Sequence, residues 1–121
     1  MTSFAESRVC CAACGFRLTV TVLQSTHRSG SCDLDLRPPE MERGTLHVQI
    51  QACGACGYCA PSIADELPAG AELTMQRAAY MATLQRRDWT TTACQMACWG
   101  LIAEGAQRWP EAGWAALKAA W

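Results

Sequence analysis

At 121 residues, half of them apolar, the chain is long enough for one real core, as a single domain or as a small module with a helical extension. Ten basic residues stand against eleven acidic ones with no basic stripe among them, so specific nucleic-acid binding is disfavoured. The opening MTSFAESRVCC lacks the apolar core of a signal peptide, and no window approaches the roughly eighteen apolar residues of a membrane span, so the expected setting is cytoplasmic with no membrane partner.

In a reducing cytoplasm, nine cysteines that include C-x-x-C pairs read as metal ligands rather than as a disulfide framework, and thiolates there take zinc or iron. The first pair, Cys11 and Cys14 in CAACG, stands just before the run LTVTV, which alternates Leu18, Val20 and Val22 on one face with Thr19 and Thr21 on the other. Gln24 to Gly44 is too long for a hairpin turn and carries His27, Cys32, Asp33, Asp35, Arg37, Pro38 and Pro39. It reads as a strap whose aspartates satisfy loop N–H groups or pair with Arg37, with a metal-binding Asp33/Asp35 pair as the alternative. The run TLHVQIQ, residues 45–51, is the second expected strand, with Leu46, Val48 and Ile50 on one face and His47 a surface histidine on the other. Cys53 and Cys56 follow in CGACG.

If those two strands pair antiparallel, the start of one meets the end of the other and both C-x-x-C-G turns converge. Each turn lets two sulfurs face one ion, its glycine taking backbone angles that other residues resist. Cys11, Cys14, Cys53 and Cys56 would then close a four-sulfur zinc shell with no open position for a substrate water, the arrangement of a zinc ribbon. Cys59 extends the second knuckle to C-x-x-C-x-x-C, but the x-x-x-C-P continuation of an iron–sulfur run is missing, since CAPS follows directly. Cys59 and Cys10 are read as spare thiols, with a register in which Cys56 and Cys59 replace Cys53 and Cys56 left open.

The segments CAACG and SGSCDLDLRPPEMERGTLHVQIQACGACGYCAP resemble a group of uncharacterised bacterial proteins with a zinc-ribbon head and a tetratricopeptide-like helical tail. That group shares a C-x-x-C-G knuckle, an S-x-D-L-D-x-R-P-P loop and a C-P-x-C-G-Y-x-A-P knuckle. The resemblance covers residues 9–61 closely and the tail loosely, with Gly54 where proline is usual. It implies the zinc-ribbon fold and the metal, and no established activity.

The second half turns helical. Ser62 and Asp65 are placed to cap a short turn closed by Pro68 and Gly70. A helix is expected over residues 72–88, and a second is capped by Thr91 or Thr92 with Cys94, Ala97, Cys98, Leu101 and Ile102 on one stripe. On that stripe Cys94 and Cys98 read as core. A third helix follows Pro110 and carries Trp114, Leu117, Ala120 and Trp121.

The expectation is thus an α+β chain: an antiparallel zinc ribbon over residues 1–61 with a segment of about three antiparallel helices, residues 62–121, packed on it. Nothing resembles a catalytic pair, a phosphate loop or an H-E-x-x-H motif, so no catalytic residue is assigned. The expected function is a non-catalytic interaction module. Its partner, another protein or a second copy, would meet the tryptophan-rich C-terminal helices. The alternative is thiol-redox or iron–sulfur chemistry using Cys10, Cys32 or Cys59.

Overall fold

Alternating side chains shape the first hairpin. A computed structural model describes residues 3–25 and 46–120, and in it β1 (Ser3–Cys10) pairs antiparallel with β2 (Arg17–Ser25). Ala5 lies opposite Val22, Ser7 opposite Val20 and Val9 opposite Leu18. These residues make the inner face, where Val20 joins the core, while Phe4, Glu6, Arg8 and Cys10 face outward beside Thr19 and Thr21.

The expected strand over 45–51 does not pair with β2. Leu46–Val48 form a 3-10 turn packed near β2, the chain bends at Gln49 and Ile50, and only Gln51–Ala52 extend as β3, pairing with β4 (Cys59–Ala60). The physical reason is loop closure: β1 reaches β2 through the short turn 11–16, whereas residues 45–51 would have to close a much longer loop. Ile50 is buried all the same, so its hydrophobic position served burial without an extended backbone. His47 is exposed, its ring 6.3 Å from that of Phe4.

Four helical segments follow: α1 (Ala71–Met75), α2 (Ala78–Leu84), α3 (Thr91–Gly105) and α4 (Trp109–Ala120). With the two small antiparallel sheets they make the chain α+β. The helix expected over 72–88 breaks at Arg77, whose backbone is extended. An unbroken helix with Ala71 and Thr74 inward would carry Ala78 and Met81 on the same face. The break instead turns Tyr80 into the core and leaves Met81 exposed. Residues 62–65 form a single turn, Asp65 N–H donating to the Ser62 carbonyl at 3.3 Å.

α3 begins one residue earlier than expected, because Thr90 is its cap: the Oγ1 accepts the Ala93 N–H at 3.2 Å. Its buried residues, Cys94, Met96, Cys98, Trp99, Ile102 and Ala103, spread beyond the single expected stripe, since α1, α2, α4 and β4 all pack against it. Ala97 and Leu101 are half-buried. A Cβ on Gly105 would stand 2.7 Å from Thr74 Oγ1, so glycine there lets α1 approach α3 closely. α3 ends with the Arg108 N–H on the Ala103 carbonyl at 2.8 Å and Gln107 left-handed at φ 61°, which starts α4 back along α3.

One core cluster runs from Cys11, Val20 and Cys53 through Tyr58, Cys59 and Ile63 to Tyr80, Cys98, Ile102 and Ala115. Among the described residues no helix is long and apolar enough to cross a membrane. The loop readings on His27, Cys32, Asp33, Asp35, Arg37, Pro38 and Pro39, and the reading on Trp121, lie outside the described residues.

Candidate metal centre

The two C-x-x-C-G segments fold into the same local shape. In the first, Cys11 N–H donates to the Phe16 carbonyl at 2.9 Å and Gly15 N–H to the Cys11 carbonyl at 2.8 Å. In the second, Cys53 N–H donates to the Tyr58 carbonyl and Gly57 N–H to the Cys53 carbonyl, both at 2.9 Å. Gly15 and Gly57 close these turns at φ 76° and 82°, where a side chain would be strained. Each knuckle is thus the tip of its own hairpin, β1–β2 or β3–β4, rather than the ends of one shared strand pair.

The tips meet even so. The sulfur of Cys11 is 3.6 Å from that of Cys56, that of Cys14 is 3.6 Å from that of Cys53, and all four lie within 4.8 Å of one another. Four thiolates about 2.3 Å from one ion at tetrahedral angles stand about 3.8 Å apart, so this set is spaced for a single metal ion. Cys11 and Cys53 are buried, Cys56 half-buried and Cys14 exposed, and no histidine or carboxylate joins them among the described residues. Two ties hold the tips in register: Ala12 N–H donates to the Ile63 carbonyl at 2.8 Å, and Ile63 N–H to Gln51 Oε1 at 3.1 Å.

The thiols are not electrostatically alike. Burial pushes Cys53 up, but the N–H groups of Cys56 and Ala55 and the thiols of Cys14 and Cys56 outweigh it and bring Cys53 down to about 7. Burial raises Cys11 against the N–H groups of Cys14 and Ala13. Cys56 is driven well up by burial and then by its neighbours Cys14, Cys11 and Cys53. Four clustered thiols cannot all ionise unaided, and a divalent cation removes that conflict.

The remaining described cysteines stand apart from this set. Cys10 is exposed on the outer face of β1. Cys59 has no exposed surface and its thiol faces the Gly57 carbonyl at 3.4 Å. The Cys98 thiol lowers its pKa foremost, against burial, with Tyr80 adding to the effect. Cys98 donates to the Tyr80 carbonyl at 3.7 Å and Cys94 to the Arg86 carbonyl at 3.5 Å, both in the helical core. The sequence reading missed the brace behind the second knuckle: Tyr80 OH donates to the Gly57 carbonyl at 2.6 Å, and Leu84 Cδ2 lies 3.1 Å from where a Gly57 Cβ would be. The signal was faint, a lone tyrosine in an alanine-rich helix.

No protein-family model matches the chain, and neither the curated proteins nor the solved structures yield a match.

Proposed function

We propose that Cys11, Cys14, Cys53 and Cys56 hold one zinc ion as a closed structural site, and that the protein is a non-catalytic interaction module whose shape the metal maintains. The observation that carries this reading is the set of four sulfurs, with two 3.6 Å separations, on two matched hairpin tips. A shell filled by four thiolates leaves no position for a reacting water, unlike a catalytic zinc. A multi-iron cluster would hold its thiolates further apart, because several metal ions lie between them. The likeness of the knuckles to the zinc-ribbon group points the same way.

The interaction surface we assign is on the C-terminal helices. Trp114 is 51% exposed beside a groove of about 310 Å³ that Pro61, Met96, Trp99 and Pro110 also line. A groove lined mostly by apolar residues, with Gln49, Glu111 and Lys118 also on its wall, next to the end of the second knuckle, suits an apolar anchor with a polar flank from a partner protein. The redox alternative loses Cys59 to complete burial, since inert structural cysteines are the buried ones.

Elemental analysis with an absorption spectrum of anaerobically purified protein tests the metal. One equivalent of zinc and no visible absorbance are expected. A coloured preparation with stoichiometric iron would overturn the zinc assignment and favour the redox reading. Trp114→Ala with unchanged partner capture would remove that groove from the proposal.

A further inference from the structure

The outer edge of β1 has no strand beside it among the described residues, since the first sheet contains β1 and β2 alone. Which backbone groups face that edge follows from the turn. Cys11 N–H bonds to Phe16, and these two residues continue the ladder register in which Cys10 faces Arg17. Inward and outward backbone groups alternate along an antiparallel strand. Odd-numbered β1 residues therefore bond to β2, and the N–H and C=O groups of Phe4, Glu6, Arg8 and Cys10 point outward. The side chains of these four residues also share one exposed face.

We propose that this edge pairs antiparallel with the same edge of a second copy, giving a continuous four-stranded sheet in the order β2–β1–β1–β2. The charges select both the partner and the register. A twofold pairing that uses only the outward-facing residues can be centred on Glu6, Ser7 or Arg8. Centring on Glu6 sets two glutamates against each other, and centring on Arg8 sets two arginines. Centring on Ser7 places Glu6 opposite the second copy's Arg8, twice by symmetry, and Phe4 opposite the second copy's Cys10. The strand SFAESRVC is thus complementary to itself in one register and repulsive in the adjacent two.

The hairpin itself gives a reason to associate. A two-stranded ribbon is marginal in water, and a third or fourth strand adds ladder bonds and extends its half-buried face. Exposed edges are usually blunted by proline, a bulge or lysine, and residues 4–10 contain no proline or lysine and no shift of register. This surface lies apart from the Trp114 groove and contains no metal ligand, so it stands or falls separately from the proposed function.

Charge exchange on the metal-loaded full chain tests it. Sedimentation velocity should show a concentration-dependent dimer at low salt. Glu6→Arg or Arg8→Glu alone should weaken it by about tenfold or more, because each places like charges opposite one another. An equimolar mixture of the two variants should dimerise again, as each then supplies the charges that the other lacks, and the double variant E6R/R8E should dimerise by itself. Amide exchange in the wild type needs no variant: the N–H groups of Glu6 and Arg8 should become protected as concentration rises, while those of Ser7 and Val9 are protected throughout. A strict monomer at high micromolar concentration overturns the proposal. So does a dimer indifferent to either charge change, or amides of Glu6 and Arg8 that exchange equally fast at every concentration.

Discussion

The two knuckles share their tips and differ in everything behind them. Both close with the same pair of backbone hydrogen bonds and the same left-handed glycine. Behind the first stand two long strands whose outer face is exposed. Behind the second stand strands of two residues each, β3 half-buried and β4 buried, pinned to the helices by Tyr80, Leu84 and α3. The tip is therefore dictated locally by C-x-x-C-G, whereas its support comes from tertiary packing in one case and from one partly covered sheet face in the other, where the proposed ion would add most. Unequal support predicts unequal responses to perturbation.

Metal removal is the largest of these. Structural zinc contributes on the order of 10 kcal/mol in small zinc domains. Chelation, Cys11→Ser or Cys56→Ser should abolish metal binding, and the loss should fall on β1–β2 first. Amide exchange checks this: protection in residues 5–9 and 18–22 should vanish while α3 and α4 keep theirs, because these two helices pack chiefly against each other. Uniform collapse of both regions would show that the second hairpin depends on the ion as much as the first.

That the four sulfurs meet is legible from the repeated C-x-x-C-G, but the route by which they meet is not. Residues 45–51 carry a cleaner alternation than Ser3–Cys10, whose inward residues are Ser3, Ala5, Ser7 and Val9, mostly too small or polar to register as a hydrophobic face. Pattern therefore favoured the wrong partner for β2, and short-range closure decided against it. The helix break at Arg77 was equally hidden, since nothing in MQRAAY is a breaker, and only the burial of Tyr80 accounts for it. The helical periodicity around Cys94 and Cys98 did reveal their place in the core, because i, i+4 spacing with Leu101 and Ile102 left them no separate face.

Acid should weaken the metal next. The metal-bound form holds thiolates, and the metal-free form holds protons wherever its thiol pKa lies above the ambient pH, so metal affinity is lost as pH falls. Cys11 and Cys56 are raised and still carry protons above neutrality, so affinity should climb through pH 8 and beyond. Cys53, at about 7, adds its own proton only below neutrality, and there the dependence should steepen. Each thiol proton displaced corresponds to about a tenfold change in affinity per pH unit. Competition titrations against a chelator of known pH dependence, at pH 6, 7 and 8, measure the slope. A slope that does not steepen below neutrality would contradict the ordering of these thiols.

Glycine replacement separates the two tips by steric room. Gly15→Ala meets no atom within 4 Å and suffers only the left-handed backbone, about 1 kcal/mol. Gly57→Ala suffers the same strain and also places its methyl 3.1 Å from Leu84 Cδ2, so about 2 kcal/mol is expected. Denaturant unfolding of the metal-loaded variants compares them directly. Equal losses would mean that Leu84 moves aside freely and that the second knuckle is less firmly pinned than its contacts imply.

The smallest effect isolates the brace itself. Tyr80→Phe keeps the buried ring and removes the hydroxyl that donates to the Gly57 carbonyl at 2.6 Å. The carbonyl does not lose every partner, because the Cys59 thiol lies 3.4 Å from it and thiols are weak donors. Burial and then Cys59 push the Tyr80 pKa up, so the ring is a neutral donor across the working pH range and the loss should not vary with pH. About 1 kcal/mol is expected, the net value of one neutral hydrogen bond partly replaced by a weaker one. Cys59→Ala in the same background removes the substitute, and the double variant should therefore lose more than the sum of the two single losses. Zinc content should remain at one equivalent in all three proteins, with the amide protection of β1–β2 unchanged, since both side chains direct their hydrogen bonds to the Gly57 carbonyl of the second knuckle. Strict additivity would show that the two donors act on the Gly57 carbonyl independently, and the second tip would then owe its rigidity to Leu84 and α3 alone.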